Sequence, residues 1–140
     1  MFTRIDSAAQ PERIISGIAV DTNDPLHAFV SYSGYEACTP GTPGRVFELH
    51  YNPKAGTPQW NDLSAGLGDQ PIQSIACDSD SHRLYVSTDY GVLVRDHGVY
   101  LPLATGLPLT AVYQLVLDQG SHMPYSATHG RGAYRIDASG

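Results

Sequence analysis

Positive charge is scarce in this chain. Only eight of the 140 residues are lysine or arginine, they are scattered, and the formal net charge is −6. Proteins that grip a phosphate backbone concentrate Lys and Arg, so a nucleic-acid partner is not expected. Charged residues of both signs make up only 16% of the chain. No apolar run approaches the roughly 20 residues of a membrane span, and no window of a dozen residues free of Gly and Pro carries a 3.6-residue apolar stripe. Long helices are therefore not expected. The two cysteines, Cys38 and Cys77, are too few for a disulfide framework. Residues 1–6 lack the basic and apolar regions of a secretory signal, so the chain carries no visible address.

What is present is punctuation. Fourteen glycines and ten prolines accompany an apolar content of 41%, a composition that buries a core through many short strands. The length suits one ordinary domain. The segment from Pro71 to Pro108 sets the pattern. Residues 71–78, 83–88, 92–96 and 100–103 are four short stretches rich in β-branched and aromatic residues, separated by turn residues.

The pattern recurs. Ile18-Ala-Val-Asp21 matches Ile75-Ala-Cys-Asp78 and Leu115-Val-Leu-Asp118, starting 57 and then 40 residues apart (18 to 75, 75 to 115). Phe29-Val-Ser-Tyr32 matches Tyr85-Val-Ser-Thr88 and Tyr125-Ser-Ala-Thr128. A third segment follows Gly44, Gly91 and Gly132, and a fourth opens on Trp60 or Tyr100. Repeats of about 40 to 50 residues with four strands each mark β-propeller blades. Cys77 falls where the other copies have Val20 and Leu117, so it reads as a small buried hydrophobe. Insertions at 34–43 and 52–58 lengthen the first copy; turns accept these at little entropic cost, and they are often working loops. Gly120-Ser-His-Met123 has the look of a cleaved tag, yet Ser121-His122 falls opposite Ser81-His82 and the repeat runs through it as native sequence.

The reading is a single all-β segment, 1–140, of about three four-stranded antiparallel blades: 15–63, 72–103, and 112–136 lacking its outer strand. Residues 2–5 resemble a spare outer strand. Three blades are too few to close a ring, so either two chains form a six-bladed ring, each front strand completing its partner's last blade, or the chain belongs to a larger propeller.

With these motifs in view, the chain resembles the Asp-box propeller repeats of bacterial sialidase-like and related extracellular glycosidase-like proteins. The resemblance rests on Ser87-Thr-Asp-Tyr-Gly-Val-Leu93, Gly106-Leu-Pro108 and Ala127-Thr-His-Gly-Arg-Gly-Ala-Tyr134, with support from 16–21 and 30–35. The family hairpin, Ser-x-Asp-x-Gly-x-Thr-Trp, is eroded here to Arg95-Asp96-His97-Gly98-Val99-Tyr100 and, more faintly, to residues 53–60. The resemblance implies that the Asp caps turn amides, the Gly accepts positive φ and the aromatic packs between sheets. It also implies an extracellular location and a site on the turns joining second to third strands.

Those turns supply Tyr35, Glu36, Asp89, Tyr90, His129 and Arg131. Glycoside hydrolysis needs two carboxylates roughly 5 to 10 Å apart, and Glu36 with Asp89 is the pair the loops offer; the bland reading is two solvated turn residues. The sialidase Arg-Ile-Pro signature is missing, because Arg4-Ile5-Asp6 and Arg13-Ile14-Ile15 lack the proline. Thr128-His129-Gly130-Arg131-Gly132 could grip a carboxylate or sugar hydroxyls, or could simply be a tight bend with Arg131 paired to a neighbouring Asp. His27, His82 and His122 recur from copy to copy, but equivalent positions in successive blades lie too far apart to share one zinc. The aspartates at 21, 24, 78 and 80 lack the Gly and Glu of a calcium loop and read as turn caps. No cofactor or metal is expected. The expectation is a non-catalytic glycan- or protein-binding scaffold; the alternatives are part of a sialidase- or glucanase-like glycoside hydrolase, and a purely structural propeller module.

Overall fold

The computed structural model describes residues 1–103 and 106–137. Among the described residues eleven strands form three antiparallel meanders. The first sheet holds β1 (Ile15–Val20), β2 (His27–Tyr32), β3 (Val46–Asn52) and β4 (Thr57–Asp62) in that order. The second holds β5 (Ile72–Asp78), β6 (Arg83–Thr88), β7 (Gly91–Asp96) and β8 (Val99–Pro102). The third holds β9 (Val112–Asp118), β10 (Met123–Thr128) and β11 (Ala133–Arg135). Inner strand β1 lies against β5, and β5 against β9, so the sheets stand side by side as propeller-like blades that do not close a ring. Among the described residues the only helical element is a 3-10 turn, Glu36–Cys38, and no helix is long and apolar enough to cross a membrane.

Strand alternation sends successive side chains to opposite faces, and the middle blade buries both. Ile75, Cys77, Leu84 and Val86 face the first blade and pack with Phe29 and Val46. Ala76, Tyr85 and Val92 face the third and pack with Val112 and Leu115. The end blades bury one inner-strand face each. Ile18 and Val20, the counterparts of Ile75 and Cys77, are 64% and 52% exposed. Val116 and Tyr125, the counterparts of Ala76 and Tyr85, are 54% and 45% exposed. Each terminal blade thus shows solvent the residues that the middle blade uses against a neighbour.

Residues 2–5 do not form the expected spare strand. The segment lies instead beside the first blade's outer region, where the Trp60 indole donates to the Ile5 carbonyl (3.0 Å) over the Val30, Tyr32 and Phe47 cluster. The edge it was expected to complete, beside β11, has no fourth strand among the described residues. A strand without a partner edge has nowhere to place its backbone hydrogen bonds.

Polar contacts tie blade to blade along the inner strands. Ser16 donates to the Ile72 carbonyl (2.6 Å), and the Thr22 amide to Ser79 Oγ (2.8 Å). One blade further on, the Leu115 amide donates to Ser74 Oγ (3.1 Å) and Gln119 to the Cys77 carbonyl (2.8 Å). The repeated aspartate closes each inner hairpin: Asp21, Asp78 and Asp118 each accept the amide two residues on, as expected of turn caps. His82 and His122 occupy one repeated left-handed position, both at φ 57°. His122 Nδ1 then reaches across to Asp78 (3.1 Å), so the tag-like stretch is part of the blade junction. Tyr100 lies against the first core cluster and donates to the Leu63 carbonyl (3.0 Å). The β7–β8 turn has the geometry of a two-residue hairpin with positive φ at His97 and Gly98, but its Asp96 carboxylate meets Arg83 and the His97 ring. Cys77 is buried, which pushes its thiol up to about 11.

Burial opposes the charged form of Asp78, but hydrogen bonds from Ser81, His122 and backbone amides outweigh it and hold the carboxyl below its ordinary value. A carboxyl lowered on folding stabilises the native state above the unfolded value, near pH 4, and that contribution fades as pH falls through the folded value. Asp78→Asn therefore lowers stability at pH 7 by roughly 1–3 kcal/mol. It also flattens the decline in urea midpoint below about pH 4; an unchanged acid limb would contradict this.

Candidate functional site

The turns joining second to third strands lie at one end of the blades, and each is built differently. In the first blade the insertion is anchored from below by two arginines. The Arg45 side chain is only 3% exposed; it pairs with Glu36 (3.0 Å) and Asp69 and donates to the Gln70 carbonyl (2.9 Å). Arg13 donates to the Gly34 carbonyl (2.9 Å) and to that of Gly44. Burial, followed by the nearby charge of Arg45, lowers the Arg13 pKa. Tyr35 stands exposed at the start of the 3-10 turn.

In the second blade Thr88 Oγ1 accepts the Tyr90 amide (3.0 Å) and donates to the Gly91 carbonyl (3.2 Å). Gly91 takes φ 135°, a conformation that a side chain rarely adopts. This leaves the Tyr90 ring 64% exposed. Asp89 accepts from Gln73 (2.9 Å). In the third blade Thr128 Oγ1 donates to the Gly132 carbonyl (2.6 Å), with Gly130 and Gly132 at positive φ. The His129 ring meets the Tyr113 hydroxyl (2.6 Å) with ring centroids 5.2 Å apart. Arg131 is exposed, and its carbonyl accepts from Tyr134 (2.6 Å). Among the described residues it makes no ion pair with a neighbouring Asp.

The proposed carboxylate pair divides between these environments. Glu36 is held by Arg45 and Asp89 by Gln73, and among the described residues no hydrogen bond joins them. What the face displays is a set of tyrosine and imidazole rings on hydrogen-bonded turns. Such rings combine a flat apolar surface with a polar tip, suited to stacking on a sugar or a side chain.

Sequence reasoning missed Arg45. Its counterparts after the repeated glycine are Val92 and Ala133, so an arginine at an otherwise apolar position was the available signal. It also missed a cluster at the opposite end of the first blade. His27 and His50 sit directly opposite each other on β2 and β3, their rings stacked at 4.2 Å. Glu48 meets both, His27 Nε2 at 2.9 Å and His50 Nε2 at 3.4 Å. Burial disfavours the charged form of His27, but hydrogen bonds to Asp21 and Glu48 overcome it and raise its pKa. The histidines that recur in the repeat, His27, His82 and His122, lie in different blades, whereas His27 and His50 share one.

No protein-family model and no curated protein matches the chain. Among solved structures, two of the extracellular domain of BT4673 from B. thetaiotaomicron are similar in fold. One, described as a one component system, aligns with TM-score 0.61 at 17% identity over 95% of this chain and 16% of its own. The other, described as a hybrid two component system, aligns with TM-score 0.59 at 18% identity over 95% of this chain and 17% of its own. The chain thus spans about a sixth of the length of these proteins.

Arg45→Met strands two half-exposed carboxylates and lowers stability by roughly 2–3 kcal/mol, less than for a fully buried pair. It also increases amide exchange across residues 34–43. Glu36→Gln costs at most about 1 kcal/mol. Equal effects in thermal and exchange measurements would contradict the assignment of Arg45 as the anchor.

Proposed function

We propose that this chain is a non-catalytic β-propeller binding module that takes a glycan or protein ligand on the face carrying Tyr35, Tyr90, His129 and Arg131. The observation that carries this reading is the contrast on that face between exposed rings and committed carboxylates. Tyr35 and Tyr90 are free to stack, while Glu36 and Asp89 are engaged with Arg45 and Gln73. The Asp-box resemblance points the same way, as does the likeness to domains described as the extracellular domain of a one component or hybrid two component system. Both support placement outside the cell.

The exposed faces of the end blades support a further part of this reading. Ile18 and Val20 on one side, and Val116 and Tyr125 on the other, repeat the two halves of the middle blade's interfaces. We infer that other blades cover them, from a second copy or from a longer chain.

On a glycan array, a saturable ligand lost in Tyr90→Ala and Arg131→Ala but kept in Glu36→Gln and Asp89→Asn is the expected result. Turnover of an aryl glycoside that disappears in either carboxylate variant would replace the binding reading with glycoside hydrolysis. For closure by a second copy, light scattering should give twice the 15.1 kDa chain mass, falling to one in Ile18→Asp. A monodisperse wild-type monomer would reject that form of closure.

A further inference from the structure

The end of the first blade opposite the tyrosine-bearing turns gathers a set of donors that the binding reading does not use. His27 opens β2 and His50 lies directly across from it on β3, while Glu48 precedes His50 by two and so shares its face. One carboxylate oxygen, Glu48 Oε1, faces both His27 Nε2 (2.9 Å) and His50 Nε2 (3.4 Å). The donor atoms of all three residues lie within 4.8 Å of one another. Ligands of a tetrahedral zinc with bonds of 2.0–2.1 Å stand about 3.3 Å apart; the two rings are stacked nearly parallel, so coordination requires the half-exposed His50 ring to swing out of the stack until its Nε2 and that of His27 aim at one point.

The supporting contacts are those a metal site uses. His27 Nδ1 is taken by Asp21 Oδ2 (2.9 Å), which fixes the ring and aims Nε2 into the cluster. Asp21 is itself held by the Asn23 amide (2.9 Å). Asn61 donates to the other oxygen of Glu48 (3.2 Å), leaving Oε1 for the shared position. Two imidazoles and one carboxylate suit zinc and related transition ions and do not suit magnesium or calcium, which take oxygen donors. We propose that His27 Nε2, Glu48 Oε1 and His50 Nε2 form a zinc site oriented by Asp21 and Asn61. The exposed His50 side leaves the fourth position to solvent. The site joins β2, β3 and β4 and the residue that follows β1, all within one blade, so it stands whether or not the tyrosine face binds a glycan.

The probes are zinc and cobalt(II) added to chelator-treated protein. Calorimetry should show one zinc per chain, and cobalt(II) should give the intense visible bands of a tetrahedral site. His50 is 47% exposed at its side chain, so His50→Ala should keep the fold, checked by circular dichroism. It should abolish the cobalt bands and weaken zinc binding at least about tenfold. Asp21→Asn should weaken zinc about 10- to 100-fold, and His97→Ala, at an exposed turn, should change nothing. Absence of saturable zinc uptake, or uptake and bands that persist in folded His50→Ala, would overturn the site.

Discussion

A propeller blade has two faces and cannot bury both by itself; this constraint governs the chain. The middle blade meets it. Ile75 and Cys77 point one way, Ala76 and Tyr85 the other, and each set finds a neighbouring sheet. Apolar burial, worth roughly 25 cal/mol per Å², is therefore concentrated at the two blade junctions. The inner strands carry close contacts, and there the buried hydroxyls of Ser74 and Ser79 accept backbone amides of the third and the first blade respectively.

The polar parts of the fold answer to the same packing. Hairpins closed by Asp21, Asp78 and Asp118 keep the turns short enough for blades to stand side by side. Where the first blade has room for a long insertion, the chain invests Arg45 and Arg13 beneath it, satisfying carbonyls that would otherwise lack partners. An anchored turn that presents Tyr35 to solvent results. The opposite end of the same blade carries the histidine–carboxylate cluster, so its two ends have separate chemistries.

Much of this was legible in the sequence, for identifiable reasons. Blade character follows from period-two alternation and from the recurrence of Ile18, Ile75 and Leu115, both local properties. The capping aspartates and the His97–Gly98 bend are likewise local. Residues 2–5 resemble an outer strand in sequence, but a strand is defined by its partner and none is present among the described residues. The anchoring role of Arg45 depends on Asp69, 24 residues away. The meeting of His27 and His50 depends on the register of two strands separated by an insertion. Such pairings arise from tertiary geometry that a repeat alignment does not encode.

Native-state hydrogen exchange tests the dependence of each blade on its neighbours most directly. Amides of β5 and β6 should exchange only through global unfolding, with protection declining toward β4 on one side and β11 on the other. Slow exchange that is uniform across all three sheets, or protection that peaks in an end blade, would contradict the account.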